Sequence, residues 1–231
     1  MPRPMSDLAK RAAGEAACSY VKDGHVVGLG TGSTAEFAVR HLGELVQKGL
    51  SIRGIPTSLR TAQLAKQVGI PLVELDDVEA IDVTIDGADE IDPRLDLIKG
   101  LGGALLREKI VASITRRQII IADASKLVDR LGTKSPLPVE VLPFGASVVK
   151  RKLDAKGLQS ALRLRDGKPF VTDNQNLVLD IRFEHGIPAP ATLERDLNNI
   201  PGVVESGLFL SLTWKAIVGE PDGSTRELAR R

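Results

Sequence analysis

Apolar residues recur at every fourth position through Leu8, Ala12, Ala16 and Tyr20. With Ser6 as an N-cap they predict an opening helix that Gly24 closes. Residues 25–30 form a short β-branched run between glycines. Gly-Thr-Gly-Ser-Thr follows, then a second 3.6-residue period through Phe37, His41, Leu42, Leu45 and Val46, so strand, tight loop and helix succeed one another. The pair repeats as a strand over 52–55 and a helix over 59–68, with Gly69 placed as the C′ residue. Further strands are predicted over 71–75, 80–85 and 118–122, and a helix over 104–116 precedes the last. Strands alternating with helices predict an α/β fold with a parallel sheet flanked by helices.

After Gly132 the texture changes. Ser135-Pro136-Leu137-Pro138 marks a boundary, and strands over 139–142, 159–165, 176–183 and 203–205 follow with helices between, in the order β-α-β-β-α-β. That is the split pattern of a ferredoxin-like α+β domain. Leu177, Leu179, Ile181 and Phe183 alternate with Val178, Asp180 and Arg182, the period of a half-buried strand. Two apolar runs over 208–212 and 215–218 are expected to return to the first sheet. The small domain, 133–205, is then an insertion between 1–132 and 206–231.

Composition narrows the function classes. Of 231 residues 42% are apolar, enough to bury a core, and Lys+Arg 31 against Asp+Glu 30 leaves a formal charge of +1. No basic run marks a nucleic-acid partner. Five Phe, one Trp and one Tyr are scattered and make no stacking platform for single strands. The single cysteine, Cys18, cannot form an internal disulfide, and no His/Cys spacing suits zinc, which points to a reducing compartment. The longest stretch without Asp, Glu, Lys or Arg is 24–35, too short to span a membrane. Asp7, Lys10, Arg11 and Glu15 interrupt the N-terminal segment, which therefore lacks the apolar core of a secretory signal; a cytoplasmic protein is expected.

Four segments carry candidate chemistry. Gly30, Thr31, Gly32, Ser33 and Thr34 lie between a strand and a helix, where free amides, the helix dipole and hydroxyls converge on an anion-sized spot. The loop reads equally as a tight turn with a hydroxyl N-cap. Asp86-Gly87-Ala88-Asp89-Glu90 follows a strand at the sheet's carboxyl edge, where open α/β folds bind ligands. Its carboxylates suit sugar hydroxyls, a hard cation shared with Asp82 and Asp92, or only solvent. Lys99-Gly100-Leu101-Gly102-Gly103 makes a second glycine turn before a helix. In that helix Leu106, Ile110 and Ile114 are the expected buried stripe, which puts Glu108 on the opposite, solvated face. Lys126 closes Asp123-Ala124-Ser125-Lys126 at another strand end, as an anion contact or a surface cation. The histidines suggest no triad, and Cys18 among alanines reads as packing.

Taken in order, Gly-Thr-Gly-Ser-Thr at 30–34, Asp-Gly-Ala-Asp-Glu at 86–90, Arg-Glu-Lys at 107–109 and Ile-Ala-Asp-Ala-Ser-Lys at 121–126 resemble the ribose-5-phosphate isomerase family of type A. So do Pro-Leu-Pro-Val-Glu-Val at 136–141, Thr-Asp-Asn at 172–174 and Ile-Pro-Gly-Val-Val at 200–204. The resemblance implies a Rossmann-like sheet with a small α+β lid and interconversion of ribose 5-phosphate and ribulose 5-phosphate. It implies no metal or organic cofactor, a sugar phosphate as the small-molecule partner, and a homodimer or homotetramer. By the family pattern Glu108 is the general base, with Asp86, Asp89 and Lys99 assisting. Substrate contacts come from Thr31, Gly32, Ser33 and Thr34, from Asp86, Gly87, Ala88 and Asp89, from Lys99, Gly100, Leu101 and Gly102, and from Lys126 and Lys10. Two positions depart from the pattern: Leu101 breaks the glycine run, and Gln175 stands where a glycine is common. Two rivals share such a sheet. A coenzyme A transferase attacks covalently through a glutamate, and a sugar-phosphate sensor needs a helix-turn-helix whose basic N-terminal segment is absent.

Overall fold

Short continuous runs rich in Val and Ile, buried on both faces, build the central sheet. The computed structural model describes residues 4–230, which divide into two compact units. The first comprises residues 4–88, 107–126 and 212–230, and the second residues 89–106 and 127–211. The boundaries expected at 133 and 205 both fall inside the second unit.

In the first unit a six-stranded sheet runs in the order Thr225–Ala229, Thr213–Gly219, Gln118–Asp123, Val83–Gly87, Val26–Leu29, Arg53–Pro56. All neighbours pair in parallel except the Thr225–Ala229 edge, which is antiparallel. Val27, Leu29, Val83, Ile85, Ile119 and Ile121 share one buried cluster with Ala13, Ala17, Ala38 and Leu42 of the helices Pro4–Cys18 and Ser33–Gln47. Val26, Ile55 and Ile81 pack in another with Val111 of the helix Leu105–Ser113. Apolar strands covered on two faces are what a parallel sheet requires.

Several expectations change. The first helix begins at Pro4, so Ser6 lies within its first turn rather than at its cap. Its buried side is Ala9, Ala13, Ala17 and Cys18, whereas Leu8 is exposed. Close approach decides this: a Cβ on Gly14 would sit 3.0 Å from the Ala38 nitrogen, and one on Gly219 1.9 Å from the Ala9 carbonyl oxygen. Small residues, not large ones, line the contact. The same inversion affects Leu105–Ser113, which buries Leu105, Glu108, Val111 and Ala112 and leaves Ile110 exposed. The stripe through Leu106, Ile110 and Ile114 is therefore not the buried one. Both sets have helical spacing, and the apolar one is the wrong choice because the buried set contains a carboxylate. Segment 71–75 is no strand; it makes one bridge, Gly54 to Leu72, before the 3₁₀ turn Leu75–Asp77.

In the second unit the strands Val203–Ser206, Leu137–Val141, Leu177–Ile181 and Ser160–Leu162 form an antiparallel sheet in that order. With the helices Ala146–Ala155 and Pro190–Asn198 they complete the split β-α-β-β-α-β pattern. The run predicted over 159–165 breaks, and Leu164–Arg165 pairs instead with Lys168–Pro169 around Asp166 (φ +53°) and Gly167 (φ +75°), the two positive φ values of a type I′ turn. Thr172-Asp173-Asn174 is a core fixture: Glu140 Oε1 accepts from Thr172 Oγ1 at 2.9 Å, Asn174 Nδ2 at 3.2 Å and Asn176 Nδ2 at 2.9 Å. Of the two late apolar runs only the second joins the large sheet, as Thr213–Gly219. Leu208–Phe209 pairs with Leu97–Ile98 in a three-stranded sheet completed by Glu90–Ile91. Two-residue strands leave no periodicity to read.

Candidate active site

Strand order places the first site segments. Arg53–Pro56 lies on one side of Val26–Leu29 and all later strands lie on the other, so the chain reverses direction between Val26–Leu29 and Val83–Gly87. Ligands of open α/β sheets bind at such a point, beyond the carboxyl ends of the strands. Here the two ends touch closely: a Cβ at Gly30 would lie 2.3 Å from Asp86 Oδ1 and 2.5 Å from its Cα. The fully buried Asp86 carboxylate accepts the N–H groups of Thr31 at 3.0 Å and Gly87 at 2.7 Å through Oδ1. Gly32, with φ +113°, leads into the helix Ser33–Gln47, whose first turn has no side-chain cap. An uncapped helix N-terminus carrying Ser33 and Thr34 suits an anion.

The Thr31 hydroxyl is engaged within the protein. It meets Thr57 Oγ1 at 2.7 Å, Ser58 Oγ at 2.9 Å and Thr61 Oγ1 at 3.2 Å, and Thr61 Oγ1 donates in turn to the Gly30 carbonyl. This hydroxyl cluster fixes the loop and escaped the sequence reading, although Pro56-Thr57-Ser58 ends a strand at the same edge. Gly87 pairs with Ile121, so the next strand brings the turn Ala124–Lys126 to that edge, with Lys126 half-buried. Ala88 closes the segment. Lys10 is half-buried on the first helix, which packs over Gln118–Asp123 and Thr213–Gly219. Glu108 is 5% exposed on the buried side of its helix.

In the second unit, Asp89 donates its N–H to the Ile98 carbonyl at 2.8 Å, and its Oδ2 accepts the Leu101 N–H at 2.9 Å. Lys99 is 2% exposed; its N–H reaches the Gly207 carbonyl at 2.9 Å, and its ammonium lies 5.5 Å from the Phe209 ring centroid. That contact is a cation–π interaction. Phe209 was not foreseen, because it lies on a two-residue strand far along the chain. In the loop after Lys99, positive φ falls on Gly100 (+102°) and Gly103 (+86°), not on Leu101. The interruption at Leu101 thus costs no backbone strain. Its N–H, however, is taken by Asp89 and is not aimed outward.

The acidic residues near Asp86 have separate structural work. Asp82 accepts the Val26 N–H at 2.9 Å and pairs with Arg116 at 2.8 Å. Glu90, fully buried, accepts the N–H groups of Gly132, Lys134 and Ser135. Asp92 accepts those of Arg94 and Asp96. Among the described residues no three His, Cys, Asp or Glu side chains gather as ligands to one ion. No helix of the described residues is long and apolar enough to cross a membrane.

Residues 53–223 match the family model of ribose 5-phosphate isomerase A (phosphoriboisomerase A). The ribose-5-phosphate isomerase A of Parvibaculum lavamentivorans is 53% identical over 95% of this chain and 97% of its own length, and that of Bacillus mycoides 50% over 93% and 96%. Among solved structures, a D-ribose-5-phosphate isomerase in complex with phospho-erythronic acid superposes with a TM-score of 0.93 at 39% identity, covering 97% of this chain and 99% of that one. The ribose 5-phosphate isomerase A of Methanocaldococcus jannaschii gives 0.90 at 44%, covering 96% and 98%. Sequence and fold agree, and this chain belongs to the ribose 5-phosphate isomerase A family, as an isomerase enzyme.

Proposed function

We propose that this chain interconverts D-ribose 5-phosphate and D-ribulose 5-phosphate through an enediolate, with Glu108 as the general base, in the non-oxidative branch of the pentose phosphate pathway. Moving the carbonyl from C1 to C2 takes the proton from C2 and returns one to C1. One carboxylate does both transfers, and removal from bulk water makes it a stronger base. The observation that carries the reading is the burial of Glu108 on a helix side otherwise formed by Leu105, Val111 and Ala112, where an apolar residue would pack without the cost of a buried charge.

The other residues take roles that follow from their chemistry. The uncapped helix end at Ser33 and Thr34, with Gly32, binds the phosphate, and Lys126 and Lys10 add positive charge. Thr31 holds the loop through its hydroxyl cluster. Asp86, Gly87, Ala88 and Asp89 bind sugar hydroxyls, and Lys99 with Gly100, Leu101 and Gly102 faces the oxygen that gains negative charge. Phospho-erythronic acid, the ligand of a relative, pairs a phosphate with a carboxylate, which matches an enediolate in charge and planarity. The enzyme works as a cytoplasmic homodimer or homotetramer.

Isomerisation in D₂O tests the mechanism. Proton transfer through Glu108 places solvent deuterium at C1 of the product, in whole or in part, and Glu108→Gln loses about 10²–10⁴ in kcat with little change in KM. Early product free of solvent deuterium, with C2-labelled substrate delivering its deuterium quantitatively to C1, overturns the enediolate route. Near-normal turnover by Glu108→Gln moves the base to Asp86 or Asp89.

A further inference from the structure

The loop after Lys99 is oriented from one side by a residue that none of the site motifs contains. Arg163 Nη1 donates to the carbonyl oxygens of Gly100 at 2.8 Å and Leu101 at 3.0 Å. In a trans peptide the C=O of one residue and the N–H of the next point in opposite directions. Turning those two carbonyls toward Arg163 therefore turns the N–H groups of Leu101 and Gly102 away from it. The first consequence is visible, since the Leu101 N–H meets Asp89 Oδ2 at 2.9 Å. The Gly102 N–H is aimed toward that same side, and no described residue accepts it. The space beside Gly102 is open, with nothing within 4 Å of where a Cβ would stand.

Arg163 is itself held rigidly. Its Nε donates to Asp180 Oδ2 at 2.8 Å and its Nη2 to Asp180 Oδ1, a two-pronged pairing that leaves Nη1 for the loop. The two side chains are only 11% and 21% exposed. Phe170 supports the guanidinium, 5.8 Å from its ring centroid, and the ring edge fills the space at Gly103, where a Cβ would come within 2.3 Å. A planar fork with fixed donors can satisfy two carbonyls and a carboxylate together; an ammonium on a flexible stem cannot hold that geometry.

We propose that Arg163, clamped by Asp180, is a positioning residue of the isomerase reaction: it aims the Gly102 N–H at the substrate oxygen that becomes negative in the enediolate. The proposal rests on the reading of Lys99, Gly100, Leu101 and Gly102 as the segment facing that oxygen. Losing an oxyanion donor outright costs about 10²–10³ in kcat, and misaiming one costs part of that. Phosphate recognition, assigned to the helix end at Ser33, lies on another segment and should not respond.

The test compares wild type with Arg163→Ala, Arg163→Lys and Asp180→Asn. For Arg163→Ala we expect kcat to fall about 10- to 100-fold with KM within about threefold, and Ki for phospho-erythronic acid to rise about 10-fold or more while Ki for inorganic phosphate stays within about twofold. Arg163→Lys recovers less than half of the lost activity on a logarithmic scale, and Asp180→Asn moves the same constants in the same direction by less. If Arg163→Ala does not fold, the Lys and Asn variants decide by the same selective rise in the phospho-erythronic acid Ki. Unchanged kcat and Ki in the folded variants, or equal rises in both Ki values, overturn the positioning role. Glu108→Gln and Lys99→Met are run alongside. Full turnover by both removes the underlying site reading and the proposal with it. Loss in both with wild-type behaviour of the Arg163 variants removes the positioning role alone.

Discussion

Glu90 is a structural carboxylate beside ones, in sequence, that we propose bind substrate. It is fully buried, and its Oε2 accepts the Gly132 N–H at 2.5 Å while Oε1 accepts those of Lys134 at 2.6 Å and Ser135 at 2.5 Å. Glu90→Gln keeps the shape but turns one oxygen into a donor. The amide oxygen can serve Lys134 and Ser135, which leaves an NH₂ facing the Gly132 N–H. A hydrogen bond to a charged acceptor is worth about 1.5–3 kcal/mol, and a neutral one about 1 kcal/mol. One bond is lost outright and two are weakened, and the lower cost of burying a neutral amide offsets part of that loss. The expected net destabilisation is about 2–4 kcal/mol, or roughly 4–16 °C in the thermal midpoint of a chain this long. Thermal unfolding followed by circular dichroism measures it, together with kcat/KM well below the transition, which should stay within about threefold of wild type. A midpoint within about 2 °C of wild type would refute the clamp. A stable variant with lost turnover would add Glu90 to the residues proposed to act on substrate.

Three further outcomes follow from local structure. Burial pushes the Cys18 thiol from its ordinary 9.0 up to about 12, so native protein should resist iodoacetamide at pH 8 and react on unfolding. By linkage, the stability tied to the neutral thiol is complete below about pH 9 and is lost as pH rises toward 12; rapid stoichiometric alkylation of the native protein at pH 8 would contradict both. Gln175 holds φ +64°, so Gln175→Gly should stabilise the fold by up to about 1 kcal/mol and raise the unfolding midpoint slightly, with unchanged turnover, and a lower midpoint would show the side chain to be worth more than the strain. Ser33→Ala with Thr34→Ala should raise KM for ribose 5-phosphate and Ki for inorganic phosphate together, with kcat little altered; unchanged constants would reduce the loop to a turn.

Much of this architecture is local and can be read from the chain. Strand, glycine loop and helix repeat through residues 25–47, Gly69 closes its helix at φ +81°, and the split pattern after Gly132 appears in the structure in the predicted order. The site motifs, too, are contiguous segments: residues 30–34, 86–90, 99–103 and 123–126 sit at element ends because glycines and hydroxyls there stop one element and start the next. Tertiary structure decides what depends on neighbours distant in sequence. A helix with two helically spaced stripes shows its packed face only when the sheet is present, which is why Glu108 reads as solvated and is buried. Five carboxylates between 82 and 92 look alike until amides from residues 26, 31, 94, 96, 101, 132, 134 and 135 distinguish them. Arg163 reaches Gly100 across 63 positions. Periodicity reports which side of an element is apolar, but a hydrogen bond or an ion pair is made in space, and its partner has no fixed offset along the chain.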